Sequence, residues 1–348
     1  KIDGAILGAL TGGSFHQYHL TYRNEGVIPM NGTVTFTHDP DVTITSNPIN
    51  ASYDSATFTF TWNFSNLVPG QVRNIALTGT LPGTTPTSTP VTTSISVNPV
   101  AGDYTPWNNA KTWTDTTAWP YDPNKKQVSP QGIGNPGFIQ TTDSVLTYTI
   151  RFQNTGNFPA NYVIIRDLID TNLVISSFSA GAFSHPYSVS AEEDQKLVFT
   201  FANINLPDSA SDPAGSQGFV QFSLKQKPNL PVGTQIKNKA SIIFDFNPPI
   251  ITNEVVNTIF TYPEIQLTEP EDSLCEDDLL WAMISKPAMP PYTYLWQPGE
   301  ISHQSTAFMD SIPVKLSGLH TVILIDSFGF SDTASVHVPV INYPVSDF

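Results

Sequence analysis

Apolar and polar residues alternate with a period of two along most of the chain. Thr33-Val34-Thr35-Phe36-Thr37 alternates, as do Thr57-Phe58-Thr59-Phe60-Thr61-Trp62 and Leu146-Thr147-Tyr148-Thr149-Ile150-Arg151-Phe152. Phe219-Val220-Gln221-Phe222-Ser223-Leu224 continues the pattern. Alternation carried by β-branched and aromatic residues predicts strands with one buried face. Turn signals return at short intervals, among them Asn24-Glu25-Gly26, Val68-Pro69-Gly70, Asn154-Thr155-Gly156 and Leu230-Pro231-Val232-Gly233. Short strands so spaced predict an all-β fold of antiparallel sandwiches. No long stretch carries a helical period. Residues 276–284 predict one short helical turn, and the Thr- and Pro-rich Thr80 to Thr93 predicts a loop.

The pattern is duplicated. Tyr18-His19-Leu20-Thr21-Tyr22-Arg23-Asn24-Glu25-Gly26 aligns with Tyr148-Thr149-Ile150-Arg151-Phe152-Gln153-Asn154-Thr155-Gly156. The same phase pairs Pro29 with Pro159 and Asn31 with Asn161. Thr61 to Leu67 aligns with Thr200 to Leu206 only after nine further residues are admitted to the second copy, placed within Ser179 to Lys196. Asn109 is a candidate match for Asn253. A period of this size marks repeated structural units. The expected organisation is three consecutive Ig-like antiparallel β-sandwich domains: 1–120 as a divergent copy, 121–262, and 263–348. The Asn-x-Gly corner reads as a turn in which Asn tolerates, and Gly permits, positive φ.

Charge sharpens the last boundary. Residues 263–348 hold 12 acids and 2 bases, so two thirds of the net charge of −15 sits in that segment. With 15 Lys and Arg in all, the chain lacks the cationic surface that neutralises phosphate, which argues against nucleic-acid binding. No apolar run approaches the roughly 18 residues of a membrane helix. The one cysteine, Cys275, allows no internal disulfide. The chain opens mid-strand on Lys1, which suggests a mature protein or a piece of a longer one.

Within 121–262, Asp122-Pro123-Asn124-Lys125-Lys126-Gln127-Val128, Leu146 to Gly156, Val163-Ile164-Ile165-Arg166-Asp167 and Ala240 to Ile250 carry a resemblance. The segment resembles an extracellular β-sandwich repeated in large secreted proteins of the Bacteroidota. The resemblance implies export by the type IX system and a place near the C-terminal end of a long modular chain. Such families commonly show an acid where this chain has Lys125 or Lys126, which weakens a metal reading there. Residues 1–120 look like a divergent relative of bacterial surface-protein repeats. Residues 263–348 are similar to polycystic-kidney-disease-like and gliding-adhesin repeats, through Pro290-Pro291-Tyr292-Thr293-Tyr294-Leu295-Trp296 and Leu319 to Gly329. In many such repeats a cysteine follows that Gly; here Phe330 stands there, and Cys275 is left without a partner. Tyr292, Tyr294 and Trp296 alternate as sandwich core.

Catalytic motifs are missing: no His-Glu-x-x-His, Gly-x-Ser-x-Gly, Walker loop or Gly-x-Gly-x-x-Gly occurs. His16 and His19, the one close histidine pair, fall on opposite faces of a strand. Acids beside Cys275 disfavour a nucleophilic role for its thiol. Glu192, Glu193 and Asp194 read as a solvated hairpin tip rather than a glycosidase pair. Calcium is the cofactor considered, with Asp122, Asn124, Asp245 and Asn247 as oxygen ligands at domain ends, against turn-capping by the same side chains. Trp107, Trp113 and Trp119 share one strand face if extended; Trp107 and Trp113 are candidate glycan-stacking residues, against a role in closing the sandwich. Sequons stand at Asn31, Asn50 and Asn63. Short Asp-Ser/Thr triplets at Asp54, Asp115, Asp143, Asp208, Asp272, Asp310 and Asp332 resemble a Bacteroidota O-glycosylation signal.

The expectation is a non-enzymatic structural or adhesive segment of a large extracellular surface protein or appendage. Its partners are neighbouring domains of the same chain, further copies in an appendage, and a cell-surface or glycan ligand, without membrane insertion. The alternative is a carbohydrate-binding accessory module of a secreted hydrolase.

Overall fold

The computed structural model describes residues 1–46, 48–117, 123–193, 195–268 and 273–341. They form strands throughout, and the one helical piece among them is a 3-10 turn at Pro106–Asn108. No helix among the described residues is long and apolar enough to cross a membrane. Packing divides the chain into two compact units. One comprises Lys1–Pro130, Ser144–Lys227 and Ile236–Val256; the other comprises Gln131–Asp143, Pro228–Gln235 and the residues from Asn257 onward.

The first unit holds two sandwiches of one topology. The first sandwich contains β1 (Ile2–Leu7), β2 (Phe15–Arg23), β3 (Met30–Thr37), β4 (Thr43–Ile44), β5 (Ala51–Asp54), β6 (Thr59–Leu67), β7 (Val72–Thr80), β8 (Pro90–Asn98) and β9 (Ala110–Thr116). Its sheets run β1-β2-β7-β4 and β5-β6-β3-β8-β9. The next strands in chain order are β10 (Lys126–Ser129), β11 (Phe138–Gln140), β12 (Val145–Gln153), β13 (Ala160–Leu168), β14 (Leu173–Phe183), β15 (Ser188–Glu192), β16 (Lys196–Leu206), β17 (Gln217–Gln226), β18 (Gln235–Asn238), β19 (Ala240–Phe244), β20 (Ile250–Ile251) and β21 (Val255–Phe260); β11 and most of β21 fall in the second unit, and the second sandwich of the first unit is built on the others. Its sheets run β10-β12-β17-β14 and β15-β16-β13-β19-β20, strand for strand the order of the first. Two-residue alternation fills both cores: Tyr18, Leu20, Val34 and Phe36 in one, Tyr148, Ile150, Phe152 and Ile165 in the other.

The duplicated Asn does the same work in each copy. Asn24 Nδ2 donates to the carbonyls of Ile28 (2.7 Å) and Leu67 (2.8 Å), and Gly26 N–H donates to Asn24 Oδ1 (2.9 Å). Asn154 Nδ2 donates to Phe158 O (2.8 Å) and Leu206 O (3.0 Å), and Gly156 N–H to Asn154 Oδ1 (3.0 Å). Ile28 aligns with Phe158 in the first phase of the repeat, and Leu67 with Leu206 in the second. The corner therefore does not depend on a left-handed backbone as expected: neither Asn nor Gly there has positive φ. The carboxamide satisfies carbonyls that the turn strips from the sheet. A Cβ on Gly26 or Gly156 would stand 3.1 or 3.0 Å from that carboxamide's oxygen, which keeps the position small. The second copy's extra residues lengthen β14 to 11 residues against 2 in β4, and enlarge the β15–β16 hairpin. Glu193 is exposed at that hairpin, as expected of a tip, while Asp194 lies outside the described residues.

In the second unit β11 pairs in parallel with β21. The rest is built from β22 (Glu264–Leu267), β23 (Leu274–Cys275), β24 (Leu279–Lys286), β25 (Tyr292–Gln297), β26 (Ile301–Ser305), β27 (Met309–Pro313), β28 (Gly318–Ile325), β29 (Ser331–Val338) and β30 (Val340–Ile341). Two antiparallel sheets, β22-β24-β27 and β26-β25-β28-β29, enclose Tyr292, Tyr294 and Trp296, as the alternation predicts. Phe330, in the position of the missing cysteine, stacks on Phe260 at 4.3 Å and meets Phe138 edge-on. Two local expectations fail. Residues 279–284 form β24 rather than helix, because Leu280, Ala282 and Ile284 point inward at period two. The 80–93 loop ends at Thr89, because Val91 and Thr93 are buried in β8.

Candidate functional site

Two features of the first unit exceed ordinary sandwich packing. The first is a seam between its sandwiches. Ala5 and Leu7 of β1 form a buried cluster with Ala182 of β14 and Phe219 of β17. The His19 ring meets Phe219 edge-on at 5.3 Å. Polar groups close around this apolar centre. Arg151 donates twice to the Ile6 carbonyl, from Nε at 3.1 Å and from a terminal nitrogen at 2.7 Å. Lys1 Nζ donates to Ser179 Oγ at 2.6 Å and to Ala180 O at 3.1 Å. Lys111 Nζ reaches Gln221 Oε1, whose amide donates to Thr149 Oγ1. Burial here holds His19 near 4, with His185 as a lesser cause. His16, on the opposite face of β2, is held near 4 by burial within the first core, where it meets the Tyr18 hydroxyl.

The second feature lies inside the second sandwich. Lys126 Nζ contacts Asp167 Oδ2, and both side chains are fully buried. The Lys126 nitrogen sits 4.8 Å from the centre of the Tyr148 ring and 5.7 Å from that of Phe222. Asn238 is 2% exposed beside Asp167 and Tyr148. Neither polar atom of its carboxamide has a partner in hydrogen-bond geometry, and Asp167 Oδ1 has none either. Burial pushes the lysine down and the carboxyl up, each opposed by the other's charge. Both shifts favour the neutral forms. Asn238 also lines a cleft of about 600 Å³ with Leu168, Asp170, Lys237 and Glu254. The Asp170 carboxylate there accepts the backbone N–H groups of Asn172 and Lys237.

Sequence reasoning passed over this cluster, although its phase is legible. Asp167 follows Val163 and Ile165 on the inward face of β13. Asn238 takes the inward phase with Ile236, Ala240 and Ile242. Lys126 pairs with Ile150, so their side chains share the core face.

The residues singled out for calcium and glycans are placed as follows. Asp245 Oδ1 accepts the N–H groups of Asn161 and Tyr162, both at 2.9 Å. Asn124 Oδ1 accepts Gln153 N–H at 3.2 Å, and Asn247 is exposed. Asp122 and Trp119 lie outside the described residues. Among those described, no group of three or more His, Cys, Asp or Glu residues gathers as metal ligands. Trp107 stands 76% exposed in the 3-10 turn. Trp113 packs against the first core and over Gly4, where a Cβ would come within 2.8 Å of the indole. Its Nε1 donates to Asp115 at 3.1 Å.

Residues 122–258 match a family described as Domain of unknown function (DUF7619), inside the segment singled out by its sequence resemblance. No curated protein matches the chain. Solved structures similar to it include the C-terminal domain of the Streptococcus agalactiae AgI/II polypeptide BspA, at 11% identity over 74% of this chain and 100% of that one, TM-score 0.26. The N-terminal domain of the Streptococcus gordonii adhesin Sgo0707 matches at 12% identity over 70% and 61%, TM-score 0.29. BcpA, the major pilin subunit of Bacillus cereus, matches at 11% identity over 99% and 98%, TM-score 0.30.

Proposed function

We propose that the chain is a non-enzymatic, load-bearing and adhesive segment of a large bacterial surface protein, positioned outside the cell. Three consecutive sandwiches, over 1–120, 121–262 and 263–348, form its spacer. The sequence resemblance supports a Bacteroidota protein exported by the type IX system. The observation that carries the mechanical reading is the seam. An apolar centre ringed by Arg151, Lys1 and Lys111 contacts joins the first two sandwiches, so force passes between them through packed sheet. A second reading, glycan binding, draws on exposed Tyr104 and Trp107.

Attachment separates these readings from an inert spacer. Cells of a non-adherent bacterium displaying residues 1–348 should attach to host-cell or abiotic surfaces several-fold above cells displaying an unrelated sandwich. Equal attachment on every surface overturns the adhesive part. A glycan array probed with the chain and with Trp107→Ala tests the second reading, which is overturned if no glycan is retained.

A further inference from the structure

The cluster at Lys126 is poorly made as an ion pair. A buried pair is stable when every lone pair and proton finds a partner. Here an ammonium with three donors meets one carboxylate oxygen and two aromatic faces. Asp167 Oδ1 and both polar atoms of Asn238 are buried without a well-formed hydrogen bond. The same atoms are well placed for a reaction that removes the charge.

We propose that an isopeptide bond joins Lys126 Nζ to Cγ of Asn238, formed autocatalytically with Asp167 as the acid–base catalyst. In the apolar core the Lys126 ammonium gives a proton to the Asp167 carboxylate, leaving a neutral amine and a carboxylic acid. The Nζ lone pair attacks Cγ of Asn238. Asp167 gives its proton to the departing Nδ2 and takes one from Nζ. The Nζ–Cγ amide forms, the Cγ–Nδ2 bond breaks, and one ammonia leaves. Nothing is oxidised or reduced, and no co-reactant is required. Asn238 lines the cleft beside Asp170 and Glu254, which gives ammonia a way out. Tyr148 and Phe222 exclude water, which protects the amine from protonation. The bond ties β10, at the start of the second sandwich, to β18 near its end, so pulling on the two ends loads a covalent link. The inference does not depend on the adhesive reading.

High-resolution mass spectrometry of the intact, purified chain tests it without any variant. The expected mass is about 17 Da below the sequence mass, one ammonia. Protease digestion should yield a branched peptide joining the Lys126 and Asn238 fragments. Asp167→Ala and Lys126→Met should each retain the full mass; circular dichroism on Asp167→Asn checks that the catalyst can be lost with the fold kept. A full-mass, folded wild type overturns the proposal. So does a loss of about 18 Da mapped to Lys126 and Asp167, which would be a water-releasing condensation with the wrong partner. A 17 Da loss with no branched peptide overturns it as well, since cyclisation of an asparagine elsewhere gives the same mass.

Discussion

Asn154→Ala isolates the corner on which the duplicated architecture turns. The carboxamide donates to two carbonyls and accepts one amide, at 2.8 to 3.0 Å, and is 5% exposed. Each such bond contributes about 0.5–1.5 kcal/mol net, and a buried carbonyl left unmet costs toward the upper end. Alanine leaves the Leu206 carbonyl without its donor inside the sandwich. The expected cost is about 3 kcal/mol, which for a unit of this size lowers the melting temperature by about 6–12 °C. Asn154→Asp should do no better: it keeps the acceptor for Gly156 but loses both donors and faces two carbonyl oxygens with a carboxylate. Asn24→Ala should match Asn154→Ala within about 1 kcal/mol, because its three bonds reproduce the set. Differential scanning calorimetry with hydrogen exchange at Gly156 and Gly26 reads both effects. A cost below about 0.5 kcal/mol for Asn154→Ala would refute the reasoning and return the corner to ordinary turn propensity.

The seam and the buried imidazoles give further expectations. Arg151→Ala removes a charged donor from the Ile6 carbonyl and should cost about 1.5–3 kcal/mol, with faster amide exchange in β1; unchanged exchange there contradicts a load-bearing seam. His16 and His19 are neutral in the folded state down to about 4, against 6.5 when unfolded. As pH falls below 6.5 the unfolded chain binds protons that the folded one refuses, so stability declines down to about 4 and then levels, by about 3 kcal/mol per imidazole. Burial lowers His38 and His185 as well, so the pH dependence of urea midpoints across that window should flatten only in part in His19→Gln, and an unaltered profile removes His19 as a cause. Trp113→Ala should cost about 2 kcal/mol through lost packing on Gly4 and the core, while Trp107→Ala stays within about 0.5 kcal/mol; thermal melts that rank them the other way contradict the placement.

Much of the fold was legible because alternation speaks directly about burial. Tyr292, Tyr294 and Trp296 read as core and are core. The repeat was legible for a related reason: Asn24 and Asn154 recur because each satisfies the same carbonyls. Where the reading failed, short-range signals stood in for tertiary ones. Residues 279–284 carry helix-compatible composition, but pairing with β22 and β27 fixes them as strand. Thr-rich composition hid the start of β8, where Val91 and Thr93 face the core.

The cluster at Lys126 was missed for a different reason, and it points to what sequence can give. Lys125 or Lys126 was weighed only as standing where similar sequences commonly show an acid, which weakened a metal reading beside Asp122. Strand phase places Lys126 otherwise. Once β10 is laid against β12, Lys126 falls opposite Ile150 and Val128 opposite Tyr148, both on the inward face. Asp167 and Asn238 then stand out as polar residues at apolar positions of their own strands. One such intrusion is a costly accident. Three that meet in one buried core, with donor, acceptor and carboxamide together, form a reaction set. A scaffold that needs no chemistry on its surface has no reason to bury these groups, unless the chemistry serves the scaffold.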